Sequence, residues 1–317
     1  MGGGAAQAPT AFVLRALGLG DLLAGVPALR ALRAALSDYR IVLAAPQWQT
    51  LLLDPDGLVD EVYPAAGLEP LRWAGPRPAL AVNLHGRGPQ SHRLLGSLRP
   101  HASIAFGCVE ADIPGPTWWP DEHERERWCR LVRTCLVVDA DPDDVALVPP
   151  PVRPRVTDAV IVHPGAAYRS RQWAPECFGE LVAALRADGH RIVVTGTERE
   201  RPLAVQVASR AGLPDDAILA GRTRIDELAA LVSAARLVVS GDTGVAHLAG
   251  AYRTPSVTLF GPTPPRLWGP PIAGPHTVIW HGPGDGDPWA DTTDSALARV
   301  SVEEVLDAAR GRLTSAF

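Results

Sequence analysis

The sequence predicts an α/β protein built from two Rossmann-like domains with parallel sheets that face each other across a cleft. Three observations predict it. Short continuous apolar runs alternate with segments whose apolar residues recur at helical spacing, and unbroken apolar strands belong to parallel sheets covered on both faces. Residues 139–156, "DADPDDVALVPPPVRPRV", interrupt the alternation with acids and then prolines, as an interdomain linker does. A chain of 317 residues also exceeds one ordinary core. The domains are drawn at 1–150 and 151–300, with a last helix over 301–317.

The elements follow in order. "AFVLRA" (11–16) reads as a strand and "GLG" (18–20) as a turn. Leu22, Val26, Leu29, Leu32 and Leu36 then mark a helix, with Pro27 inside it as the expected place of a bend. Strands are expected at 40–46, 79–86 and 102–108, an aromatic and proline-rich loop at 112–122, and a helix at 123–138. After the linker come strand 159–165, helix 175–187, strand 191–196, helix 199–211 and a short strand at 217–221. Helix 224–235, strand 236–241, helix 243–251, strand 256–261 and a final helix at 301–313 complete the reading. The charges of "HERERWCRLVR" (123–133) alternate in sign, which reads as a solvated helix face.

Composition narrows the function classes. The net charge is −5, with −2 over residues 1–155 and −3 beyond, so neither half has the basic surface that nucleic acid requires. No apolar run is long enough to span a membrane. The opening "MGGGAAQAPT" lacks the basic start of a signal peptide, so a cytoplasmic location is expected. The chain has no lysine: all 30 basic residues are arginine. Any phosphate-binding cation must therefore be an arginine, or a main-chain amide must stand in for it. Cys108, Cys129, Cys135 and Cys177 form no C-x-x-C pair and read as buried reduced thiols. No metal is expected. The D-x-D strings Asp54–Asp56, Asp141–Asp143 and Asp285–Asp287 lie in loops rather than directly after strands.

Ligands of parallel sheets sit at the carboxyl ends of strands, and four such places are chemically loaded. In "GDTGVAH" (241–247), Asp242 reads as a helix N-cap. The amides of Thr243, Gly244 and Val245 then face outward as an anion site. In "HPGAAYRSRQW" (163–173), Arg169 and Arg171 can clamp a diphosphate with forked hydrogen bonds. In "GLGD" (18–21), a G-x-G-x-x-G fingerprint would need glycine at 23, where the residue is Leu. Asp21 instead stands at a helix start, either as an N-cap or as a carboxylate able to take a proton from a hydroxyl. "NLHGRG" (83–88) contributes His85 and Arg87 as acceptor-side candidates. Trp118 and Trp119 read either as sugar-stacking or as packed loop residues.

Together, "LGLGDLLAGVPALRAL" (17–32), "HPGAAYRSRQWAPECFGEL" (163–181), "VVSGDTGVAHLAGAYRTPSVTLFGPTPPRLWGP" (238–270) and, more weakly, "VNLHG" (82–86) resemble glycosyltransferase family 9, the lipopolysaccharide heptosyltransferase-like enzymes. The resemblance implies a GT-B fold and a metal-independent inverting transfer with no cofactor. It makes Asp21 the general base and puts Arg171 on the donor phosphates. Asp242, Thr243, Gly244 and His247 match its donor-phosphate motif. Glu200 falls near the donor ribose, with Glu198 in competition, and the last helix can cross back onto the first domain. The implied partners are a nucleotide-sugar donor, ADP-heptose or related, and a glycan, lipid-linked or small glycoside acceptor. Competing readings are a nicotinamide-dependent oxidoreductase and a noncatalytic nucleotide-sugar-binding protein.

Overall fold

The computed structural model describes residues 8–284 and 286–314. The chain start, Asp285 of the last D-x-D string and residues 315–317 lie outside the described residues. Two compact units divide at Val145/Ala146, inside the acidic and proline-rich segment and slightly before the expected boundary at 150.

The first unit contains β1 (Thr10–Leu14), α1 (Leu19–Ala35), β2 (Arg40–Ala45), the short α2 (Thr50–Leu53), β3 (Glu61–Pro64), β4 (Leu80–Asn83), α3 (Gln90–Gly96), β5 (Ala102–Ile104) and α4 (Glu124–Leu136). Its five strands are all parallel, in the order β3-β2-β1-β4-β5. The register sets Val13 beside Leu43 on one side and Val82 on the other. Phe12, Leu14, Val42, Ala44, Ala81 and Leu95 form a core on one face. There Trp73 and Tyr63 meet the Phe12 ring at 5.1 and 5.7 Å.

The second unit contains β6 (Val160–His163), α5 (Pro175–Ala187), β7 (Ile192–Val194), α6 (Arg201–Arg210), α7 (Ile225–Ser233), β8 (Leu237–Gly241), α8 (Gly244–Ala251), β9 (Ser256–Leu259), α9 (Pro265–Trp268), β10 (His276–Ile279), α10 (Ser295–Ala298) and α11 (Val302–Thr314). Its strands are again parallel, in the order β10-β9-β8-β6-β7.

Several expectations are corrected. Strands β3 and β10 and helix α3 stand where no element was expected. The strand expected at 217–221 is a 3-10 turn, Asp215–Ala217, followed by a single bridge from Ile218 to Val194. In the last helix, Val305, Ala309 and Leu313 join the second unit's core. The "solvated" face of α4 is largely enclosed, with Glu124, Arg125 and Arg127 buried. Its arginines hold the aromatic loop. Arg127 donates to the carbonyls of Trp119, Pro120 and Glu122, and Arg130 donates to both Glu122 carboxylate oxygens at 2.6 and 2.8 Å. The same guanidiniums lie over Trp118 and Trp119 at 4.3 and 3.9 Å, a cation–π arrangement. Of the cysteines, Cys108 and Cys129 are buried, Cys177 is half-buried and Cys135 is exposed, so burial does not extend to all four.

Candidate active site

Each unit has one point where the strand order reverses. In the first, successive strands run outward from β1 to β2 and β3, then return to its other side as β4. In the second, the chain goes from β6 to β7 and returns as β8. The crevice beyond the carboxyl ends of such a strand pair is where open α/β sheets hold ligands. Asp21 lies in the first turn of the helix that follows β1, and His85 lies in the loop after β4. The loops after β6 and β8 carry Arg171 and Asp242.

In the first unit, Gly18, not Asp21, is the N-cap of α1, and Asp21 is the third residue of the helix. Its half-buried carboxyl is held above the usual carboxylate range by burial. Arg15 opposes that shift, Glu124 adds to it, and main-chain N–H groups at Gly18 and Asp21 favour the ionised form. Arg15, just past the end of β1, was absent from the sequence-based candidates. Its side chain is fully buried. Its Nε donates to the Asp21 carbonyl at 2.6 Å and its Nη1 to the Leu84 carbonyl after β4. The signal was an arginine ending an apolar strand, where a charge is costly unless used.

His85 is half-buried, and its Nδ1 has no hydrogen-bond partner. Burial, with Arg15 adding to it, pushes the imidazole down to about 4, so it is neutral at physiological pH. Its main-chain N–H donates to Asn83 Oδ1 at 3.0 Å. Asn83 is fixed in turn by Ser91 at 2.9 Å and His92 at 3.2 Å. Arg87 is exposed.

In the second unit the N-cap of α8 is Thr243, with extended backbone (φ −143°), and not Asp242. Thr243 makes no side-chain cap, and its Oγ1 is buried without a partner. The first-turn amides of Gly244 and Val245 have no intrahelical acceptor, and the helix dipole makes this end attractive to anions. Asp242 lies one residue earlier and is buried, with its carboxyl pushed up to about 6 by burial against the opposing charge of Arg171. Arg171 sits on a 3-10 turn, Arg169–Arg171, and its Nε is also buried and unpartnered. The approach is close: a Cβ on Gly241 would stand 2.9 Å from the Arg171 carbonyl oxygen, which is why a side chain-free residue ends β8.

Among the described residues, buried side-chain atoms without a hydrogen-bond partner at these crevices include Arg171 Nε, Ser170 Oγ and Thr243 Oγ1 in the second unit and His85 Nδ1 and Arg15 Nη2 in the first. Buried polar atoms of this kind are uncommon, and their gathering at the two switch points makes these crevices the candidate ligand sites.

His247, one turn into α8, packs edge-on against Trp268 at 5.8 Å and lines a small cavity with Asp242, Ala246, Thr258 and Phe260. The structure thus brings Arg171, Asp242, Thr243, Gly244 and His247 together. Arg169 is on the same turn but exposed. Glu200 is held by the Thr197 N–H and hydroxyl at 2.7 and 2.9 Å, and its charge acts on buried His163 at the end of β6. Glu198 is exposed. Asp143 of the second D-x-D string is paired with Arg125 at 2.9 Å. Among the described residues no group of three or more His, Cys, Asp or Glu side chains is arranged to hold a metal.

Comparison with known proteins bears on this arrangement. The model of the family described as glycosyltransferase family 9 (heptosyltransferase) matches residues 146–288. The chain is similar to glycosyltransferase family 9. A Haemophilus influenzae protein named lipooligosaccharide heptosyltransferase 2 is 29% identical over 122 residues, covering 37% of this chain and 34% of the relative. The chain thus spans about a third of the length of the curated relatives it matches. Solved structures extend the likeness in fold. E. coli ADP-heptose lps heptosyltransferase II superposes with a TM-score of 0.72 at 18% identity, covering 96% of this chain and 99% of that one. A family 9 glycosyl transferase from Veillonella parvula gives 0.76 at 16% identity, with 97% of each chain covered. The fold is the GT-B one, with two parallel-sheet α/β units, and the sequence match to family 9 lies in the second of them.

Proposed function

We propose that the chain is an inverting, metal-independent glycosyltransferase. It moves a heptose or related sugar from an ADP-activated or other nucleotide donor to a hydroxyl of a glycan or small glycoside, lipopolysaccharide core or natural product. The observation that carries this reading is the paired chemistry of the two switch points. One holds a carboxyl group and a neutral histidine on segments that Arg15 joins. The other holds an unpartnered guanidinium nitrogen beside an open helix N-terminus, within the segment that matches family 9.

In this reading the second unit grips the donor diphosphate. The Gly244 and Val245 amides, Thr243 Oγ1, Arg171 and His247 donate to phosphate oxygens, Arg169 adds charge at the rim, and Glu200 faces the ribose. These donors stabilise the departing nucleoside diphosphate as its bond to the anomeric carbon breaks. The acceptor oxygen forms the new bond at that carbon from the opposite face, and its proton passes to the Asp21 carboxylate. One displacement inverts the configuration. On the acceptor side, His85 Nδ1 meets a hydroxyl and Arg87 lies at the edge. Holding both substrates in line supplies much of the rate advantage.

The test is ADP release from ADP-heptose with heptose-deficient lipopolysaccharide, run in EDTA. Asp21→Asn should lower kcat by about 10²–10⁴-fold with donor affinity retained. Turnover should rise with pH through the raised pKa of Asp21, because only the ionised form accepts a proton. Wild-type turnover in Asp21→Asn, or activity abolished by EDTA and restored by manganese, refutes the reading.

A further inference from the structure

Arg15 is placed unlike any other arginine at the two crevices. Nothing of its side chain reaches solvent. It lies across the first unit's switch point and joins the first turn of α1 to the loop after β4, through Nε to the Asp21 carbonyl and through Nη1 to the Leu84 carbonyl. The remaining Nη2 is 3.6 Å from Glu124 Oε1, beyond a hydrogen bond but within an ion pair. The guanidinium lies over the Trp128 ring at 5.0 Å. Helix α1 makes room for it: a Cβ on Gly25 would stand 2.5 Å from Arg15 Nε.

Glu124 is equally committed. Its Oε1 accepts from Trp128 Nε1 at 2.7 Å and its Oε2 from Arg127 Nη1. A chain of fixed charges thus runs from α4 through Glu124 to Arg15 and on to the two segments. Arg15, Glu124 and, beside them, Arg127 are the charged groups around Asp21. His85 after β4 is neutral.

We propose that Arg15, tethered by Glu124, is the positioning residue of the acceptor-side site, locking the first turn of α1, which carries Asp21, and the His85 loop in one register and setting a fixed positive charge beside Asp21. This rests on the reading of Asp21 as the base. The physical argument is one of cost. A guanidinium taken wholly out of water is strongly disfavoured unless paired and hydrogen-bonded, and this one is used on main-chain atoms of two functional segments. The Asp21 carboxylate, half-buried and near Glu124, would by itself favour protonation. Lysine, a point charge, could not fork to two carbonyls in this way.

The experiment is carboxyl ¹³C NMR titration of the full chain, with Asp21→Asn assigning the signal, alongside ADP release from ADP-heptose with heptose-deficient lipopolysaccharide. Arg15→Met combined with Glu124→Gln removes both buried charges at nearly constant volume. In it, Asp21 is expected to titrate higher, because the Arg15 charge that is lost acts on it more strongly than the opposing Glu124 charge lost with it. The acid limb of turnover follows it, while KM for ADP-heptose stays within about twofold. Arg15→Lys keeps the charge and loses the fork. It should hold the Asp21 titration near that of wild type while kcat falls about tenfold or more.

An unmoved Asp21 titration in a folded double variant overturns the proposal. If the double variant does not fold, Arg15→Lys decides, and wild-type kcat in it overturns the proposal. Full turnover in Asp21→Asn sinks the base assignment instead, a result the NMR titration does not depend on.

Discussion

Asp242 shows how a single side chain reports its surroundings. Its carboxyl titrates at about 6 in the fold, against 3.8 when unperturbed, because burial outweighs the favourable charge of Arg171. The folded protein therefore holds the proton more tightly than the unfolded chain. Stability is greatest below the unfolded pKa, falls as pH rises between about 4 and 6, and stays lower above that. Without donor present, Asp242→Asn should raise the unfolding free energy at pH 8 by up to about 3 kcal/mol and leave it unchanged below pH 4. Chemical denaturation across this range checks it, and a constant difference at every pH would contradict it. At this scale the sequence marked Asp21, Arg171 and Asp242 by type and place but passed over Arg15. An arginine reads as a surface residue until its burial is seen.

Among elements, the junction of β8 with α8 is the most constrained. Any side chain at Gly241 would bring its Cβ to 2.9 Å from the Arg171 carbonyl oxygen, so two crevice loops touch through a residue that has none. Gly241→Ala is expected to cost about 1–3 kcal/mol by forcing main chain apart. If Arg171 grips the donor phosphates as proposed, the substitution should also raise KM for the donor more than it lowers kcat, because Arg171 is displaced. Thermal unfolding and steady-state kinetics together check this, and unaltered donor KM would count against the arrangement. The junction was legible because glycine, aspartate and threonine after an apolar run signal a strand-to-helix turn. Which residue caps the helix was not, since Asp242 and Thr243 are both good caps and only the backbone shows Thr243 in the extended N-cap conformation. Helix α4 misled for a related reason: alternating charge suits a solvated face, and here the partners are the carbonyls and indoles of the loop that folds back over it just before the helix starts.

For the whole molecule, the second unit depends on the last helix. Val305, Ala309 and Leu313 sit in the same core as Val162, Trp173 and Val239, and the Trp173 indole N–H donates to the Val300 carbonyl at 3.1 Å, just before that helix begins. Leu313→Ala is expected to cost about 2–5 kcal/mol and to lower the unfolding transition of the second unit while leaving that of the first. Calorimetry that shows both transitions falling together would contradict an assignment of this helix to one core.

The sequence by itself determined the class of architecture: apolar runs alternating with helical spacing dictate parallel sheets with covered faces, and an acid–proline break divides them. It also marked the candidate places for ligand chemistry, because the carboxyl end of a strand can be read from where an apolar run stops. Only the tertiary structure decided which of those strand ends adjoin, since strand order depends on contacts far apart in the chain. For the same reason it alone revealed Arg15 beneath Asp21, the enclosure of α4 and the core to which α11 belongs. Burial and pairing are properties of neighbours in space, and local pattern does not encode them.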